Sequence, residues 1–108
     1  QKFVEAYRKK FGMFPSMTAG EAYDGMAWWL DTVEKTGSWD KEKWVDAFAT
    51  SVRENSVEGK KTMRACDHQA AQPGFWSEVV NGTPPAPALT MKVTKVFSED
   101  KLFAPCKN

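Results

Sequence analysis

Cys66, Asp67 and His68 stand side by side: a nucleophile, an acid and the chain's one imidazole. A thiolate deprotonated by an imidazole is the chemistry of a small cysteine hydrolase, and it needs a third group to orient the base. Neighbours along an extended strand point to opposite faces, so adjacency alone makes no dyad. The stretch Asp67-His68-Gln69 reads instead as a turn in which the polar side chains bond backbone amides. Glu21 and Asp24, three apart on a helix, read as a solvated face or a cap. No glycine-rich phosphate loop and no paired-carboxylate motif is present. Cys66 and Cys106 are too far apart for a metal-ligand spacing, and no further Cys or nearby His completes a zinc set. They are two buried thiols or one disulfide. A disulfide closing about 40 residues would stabilise by roughly 3–4 kcal/mol on the chain-entropy model and would belong to an oxidising compartment. The disulfide is the expectation. Both cysteines have polar neighbours, and Cys106 ends a tail, 98–108, that only Leu102 and Phe103 can anchor.

The elements that would carry these residues fall into two halves. Phe3, Tyr7 and Phe11 recur at helical spacing from the first residues onward. A helix that opens at Gln1 without a capping residue before it suggests a piece of something longer. Arg8-Lys9-Lys10 complements the dipole at that helix's end. After Gly12 and Pro15, Thr18 and Glu21 read as a capping box, so a second helix is expected from about Thr18 to Thr36, stopped by Gly37. Ala22, Met26, Trp29 and Val33 form its apolar stripe, widened by Tyr23, Ala27 and Leu30. A third helix follows Asp40, with Trp39 stapled onto Trp44. Most of the five Trp read as packing residues rather than a stacking site for ligand.

From Ser51 the period changes. Ser51 to Lys61 reads as a loop with a turn at Gly59, Thr62–Ala65 as a short strand, and Gly74–Val80 as another. Leu89 to Thr94 alternates apolar and polar, and Phe97 continues the face, as in a half-buried antiparallel strand. Asn81-Gly82 and three prolines join the last two strands, which makes a long-looped hairpin. Net charge is +1, which leaves no basic footprint for nucleic acid. No apolar stretch approaches the ~18 residues that span a bilayer. Three helices with no sheet between them are expected to need one from elsewhere in the protein. Alone, they would leave Trp29, Trp44 and Phe48 uncovered.

Two stretches resemble a known family. One is Phe3-Val4-Glu5-Ala6-Tyr7, Phe11-Gly12, Pro15-Ser16 and Ala22-Tyr23-Asp24. The other is Val57-Glu58-Gly59, Thr62-Met63-Arg64, Asp67-His68-Gln69 and Gln72. Together, with the hairpin and the Pro105-Cys106 tail, they are similar to the type I periplasmic substrate-binding proteins, the leucine/isoleucine/valine-binding receptors of ABC importers. The resemblance implies an α/β fold of two lobes, of which this chain is the C-terminal third, three helices followed by a β-hairpin. It implies that 1–69 completes the N-terminal lobe, that 70–74 is a hinge crossover and that 75–108 lies on the second lobe.

The function implied is an extracytoplasmic, periplasmic solute receptor rather than an enzyme. Its ligand would be a small carboxylate-bearing molecule, a branched-chain amino acid or related organic acid. Its protein partners would be ABC permease subunits and the upstream part of the same receptor, with no cofactor and no metal. The ligand contact implied for this segment lies at the start of the second helix, at Met17 and Thr18. Thr18 stands where the family often has an aromatic, and a plain helix cap is the competing role for it. A sensory domain on the same fold is the alternative, and a small hydrolase using Cys66 and His68 a more distant one.

Overall fold

The computed structural model describes residues 2–106. They form four helices and five strands: α1 (Lys2–Phe11), α2 (Met17–Thr36), α3 (Lys41–Ala49), β1 (Val52–Arg53), β2 (Lys61–Met63), β3 (Ala70–Ala71), β4 (Gly74–Asn81), β5 (Leu89–Phe97) and α4 (Glu99–Leu102). The chain divides into two units. The first runs to Ala71 and takes in Cys106; the second is Gln72–Pro105.

In the first unit, Phe3, Tyr7 and Phe11 line one side of α1, with ring centroids 5.8 and 4.5 Å apart along the helix. Phe3 also stacks on Tyr23 of α2 at 4.5 Å, which ties the two helices together. Gly12 ends α1 in the left-handed region, its amide donating to Arg8 O, a conformation that costs glycine no Cβ clash.

α2 is capped two residues earlier than its T-x-x-E motif predicts. Ser16 is the N-cap: its backbone is extended and its hydroxyl accepts from the Ala19 amide. Thr18 lies inside the first turn, where its hydroxyl is 2.9 Å from that of Ser16. Ser16 wins because it is the last residue that can stay extended after Pro15 and still reach an amide three residues on. Ser16→Ala should therefore cost about 1 kcal/mol, read as a shift in urea midpoint, and Thr18→Ala only a few tenths. At the other end, Gly37 is left-handed and its amide donates to Glu34 O.

The buried face of α2 is not the apolar stripe. Ala22, Met26 and Leu30 are exposed, whereas Gly20, Asp24, Trp28, Thr32 and Val33 are buried. The face runs through Asp24, Trp28 and Thr32 at i, i+4, i+8, and two of these three are polar. Thr32 Oγ1 donates to Trp28 O at 2.9 Å, and Asp24 meets cations from the sheet. Asp24 is therefore neither a cap nor part of a solvated face.

α3 starts at the N-cap Asp40, whose carboxylate accepts from the Glu42 amide. Phe48 reaches Trp28 at 5.0 Å between ring centroids. Trp39 does not staple onto Trp44. Both rings lie 5.9 Å from Trp29, which sits between them, and Trp39 stays 74% exposed. Trp29 and Trp44 are half-buried against each other, and Phe48 is half-buried against Trp28, rather than left bare.

The segment read as a loop, Ser51 to Lys61, contains β1. It pairs antiparallel with β2 (Val52↔Thr62, Arg53↔Lys61), and β2 pairs antiparallel with β3 (Thr62↔Ala71, Met63↔Ala70). A two-residue strand is too short to leave an alternation in the sequence.

The second unit is the β4–β5 hairpin and α4. The register pairs Asn81 with Leu89 and Val79 with Met91, with a bulge between Trp76 and Ser77. Thr94, opposite the bulge, donates its hydroxyl to Trp76 O. Phe75, Val79, Leu89, Met91, Val93 and Val96 occupy one face and are all exposed, so β5 is not the half-buried strand its alternation suggests. The tail is also more ordered than its composition suggests. Ser98 begins α4, and Leu102 packs where a Cβ on Gly74 would stand, 2.7 Å from its Cδ1.

Candidate functional site

Met17 and Thr18 form the first turn of α2, and both are exposed; Met17 is 73% so. Ser16 claims the Ala19 amide and Gly20 donates to Ser16 O. The turn therefore presents a long apolar side chain, a hydroxyl and the positive end of a twenty-residue helix dipole. That combination suits a ligand with both an apolar body and an anionic group.

Beneath this helix lies a cluster of charges that the sequence reading missed. Asp24 is 0% exposed. Its Oδ1 accepts from Arg53 Nε of β1 at 2.9 Å, and its Oδ2 lies 3.2 Å from Lys61 Nζ of β2. That second contact is an ion pair without hydrogen-bond geometry. Arg53 also pairs with Asp31 and Lys61 with Glu58, so both cations bridge a buried and a more exposed carboxylate. Burial opposes the charge on Asp24, but the hydrogen bond from Arg53 and the nearby Ser56 hydroxyl and Lys61 ammonium overcome it and hold the carboxyl below its ordinary 3.8. Burial likewise opposes the charge on Lys61, and Glu58 and Asp24 outweigh it, raising the ammonium above 10.5. The cluster fixes α2 on the β1–β2 ribbon and so sets where its first turn stands. No sequence signal pointed to it, because Arg53 and Lys61 lie in the stretch read as a loop.

The Cys66-Asp67-His68 triplet lies in the connection between β2 and β3. Arg64 N donates to Gln69 O and His68 N to Arg64 O, which closes a tight turn. His68 occupies the left-handed region, φ 55°. Asp67 Oδ1 accepts from the Gln69 amide at 3.1 Å, and Arg64 grips the carboxylate through Nε and Nη2 at 3.1 and 2.9 Å. The slight desolvation of this exposed acid is overcome by those donors, which keep it ionised below the ordinary 3.8. Cys66 is bonded to Cys106, with Cα atoms 5.9 Å apart, inside the usual disulfide range. A sulfur held in a disulfide is no nucleophile, so the hydrolase reading of Cys66 and His68 falls. His68 instead lines a cavity of about 180 Å³ with Trp44, Val45, Phe48, Ala49 and Met63. Among the described residues no cluster of His, Cys, Asp or Glu could hold a metal ion, and no helix is long and apolar enough to cross a membrane.

A family model described as "Periplasmic binding protein" matches residues 1–84. Two solved structures share the fold. One is a leucine-, isoleucine-, valine-, threonine- and alanine-binding protein from Brucella ovis in a closed conformation, with a TM-score of 0.76 and 22% identity. The other is an ABC-type branched-chain amino acid transporter from Rhodopseudomonas palustris, with a TM-score of 0.76 and 23% identity. Each likeness covers 97% of this chain and 28% of the other, so the chain spans little more than a quarter of their length. No curated protein matches.

Proposed function

The chain belongs to the periplasmic binding protein family, and from that membership we propose that it works as the C-terminal part of a two-lobed extracytoplasmic receptor. The family is one of binding proteins, not enzymes. The ligand proposed is a small carboxylate-bearing molecule, a branched-chain amino acid or a related organic acid, captured for an ABC importer. The observation that carries this reading is the family match over residues 1–84. The names of both structural neighbours, an amino-acid-binding protein and a branched-chain amino acid transporter, point the same way.

In this reading residues up to 69 complete one lobe, 70–74 cross between lobes and 75–108 belong to the other. The division of the chain after Ala71 supports a crossover there. Met17 and Thr18 line the ligand cleft, Met17 against the apolar body and the Thr18 hydroxyl toward the carboxylate. Thr18→Ala should weaken ligand binding about tenfold to a hundredfold through one lost hydrogen bond to a charged group. A receptor of this kind closes on its ligand by a hinge. Small-angle scattering of the receptor that carries this segment should show the radius of gyration fall when leucine, isoleucine and valine are added. An unchanged radius at saturating concentrations of all three and of a set of small organic acids would contradict the reading.

A further inference from the structure

The hairpin turns at the chain's one Asn-Gly pair, Asn81-Gly82. Gly82 cannot be exchanged there: a Cβ on it would stand 1.9 Å from Pro87 O, inside the backbone of the connecting loop. Its amide donates to Ala88 O at 2.9 Å, just beyond Asn81 and Leu89, the last paired residues of the ladder. Asn81 ends β4 and is exposed. The hairpin therefore needs a glycine directly after an accessible asparagine. That is the pair in which the carboxamide is most easily lost, because no side chain shields the backbone nitrogen that attacks it.

We propose that Asn81 is a site of spontaneous modification by deamidation, with water as co-reactant, and that the Gly82–Ala88 hydrogen bond gates it. Hydroxide takes the proton from Gly82 N, and that nitrogen attacks Asn81 Cγ. The Cγ–Nδ2 bond breaks, and the amide leaves as ammonia after taking a proton from water. The product is a five-membered succinimide. Water then opens the ring at one of its two carbonyls. Opening at Cγ leaves an aspartate; opening at the main-chain carbonyl leaves an isoaspartate, whose backbone runs through the former side chain. Nothing is oxidised or reduced.

The folded hairpin withholds both requirements of the first step. The Gly82 proton is engaged by Ala88 O. The ring also needs a torsion at Asn81 that an antiparallel strand does not adopt. Reaction thus proceeds from a locally opened hairpin end, and its rate follows how often that end opens. Once formed, isoaspartate adds a methylene to the main chain beside the Gly82–Ala88 bond and so spoils the register there. The lesion keeps open the end from which it arose.

The test incubates the receptor that carries this segment at mildly alkaline pH, folded and in guanidinium chloride. Conversion at Asn81 and at Asn55, which precedes a serine, is followed by peptide mass mapping. In denaturant Asn81 should react faster than Asn55, and folding should slow Asn81 at least about tenfold. Leu89→Gly removes the side chain paired opposite Asn81 and loosens the strand. It should speed the reaction of the folded protein about threefold to fivefold. Protection that came from the rest of the receptor would instead leave the Leu89→Gly rate unchanged. That result overturns the proposal, as do equal rates in the folded and denatured protein, or an Asn81 no faster than Asn55 in denaturant. Should Leu89→Gly fail to fold, the comparison of folded with denatured parent still decides.

Discussion

Asp24→Ala should take about 3 kcal/mol from the first unit, a large share of its stability. The substitution strands Arg53 and Lys61, whose side chains are 16% and 9% exposed, against a wall that no longer carries their counter-charge. Removing one partner of a buried pair costs about 3–5 kcal/mol, because the surviving charge stays out of water. A domain of about 70 residues has only some 4–10 kcal/mol in all. Asp31 and Glu58 remain as secondary partners, so the loss belongs at the lower end of that cost for Lys61 and Arg53 alike. Urea unfolding followed by tryptophan fluorescence and far-UV circular dichroism measures it. Asp24→Asn keeps the shape and should cost nearly as much; a variant within 1 kcal/mol of the parent would mean that the cluster is not what holds α2.

The same cluster fixes the acid and alkaline limits. The folded pKa of Asp24 lies below its ordinary 3.8, so its contribution is present above that pH and is lost as pH falls through the folded value. The folded pKa of Lys61 lies above 10.5, so its contribution is complete below that pH and is lost as pH rises through the folded value. Stability from this cluster should be flat between the two limits.

Trp28→Ala is the second large effect. Trp28 is buried on α2 between Asp24 and Thr32, its ring 5.0 Å from Phe48 of α3, and it is the largest apolar side chain in the core. Truncating a buried Trp costs about 3–5 kcal/mol, part from lost transfer and part from the cavity left. It also removes a ring contact between α2 and α3, leaving that of Trp29 with Trp44. Trp28→Phe, which keeps a ring against Phe48, should lose less than half as much. The expected readout is a drop in urea midpoint with an unchanged slope. An equal loss for Ala and Phe would show that the indole's polar edge, not its bulk, is what the core requires. Trp28 and Asp24 are one helical turn apart, so their effects will not add.

These two residues also mark where the sequence stopped being readable. Helix limits were legible because Gly12, Gly37 and Asp40 are local signals and act locally. The hairpin was legible because β5 alternates and Asn81-Gly82 breaks the chain. The orientation of α2 was not. A hydrophobicity pattern assigns the apolar side to the core, but here the core takes Asp24 and Thr32, and Met26 and Leu30 face outward. Only the cations Arg53 and Lys61, about thirty residues on, make that orientation favourable, and such a pairing leaves no periodic trace. β1 and α4 were missed for a simpler reason: elements of two and four residues are held by their neighbours rather than by their own pattern. At the candidate site, the cap that shapes the first turn of α2, Ser16, was not read: the T-x-x-E motif gave that role to Thr18. The Cys66-Asp67-His68 triplet looked like chemistry in sequence. In the structure its members do separate things: a disulfide, a carboxylate gripped by Arg64, and an imidazole at the edge of an apolar cavity.

The central claim is that this segment serves a receptor for a small carboxylate-bearing ligand. Calorimetric titration tests it most directly. The receptor that carries this segment should be titrated with leucine, isoleucine, valine and a set of small organic acids, and in parallel with isopentylamine, which is leucine without its carboxylate. A saturable, one-to-one heat for at least one carboxylate-bearing ligand is expected, with none for the amine and a weaker affinity in Thr18→Ala. Binding of isopentylamine as tight as that of leucine, or no heat from any carboxylate in the set, would contradict the account.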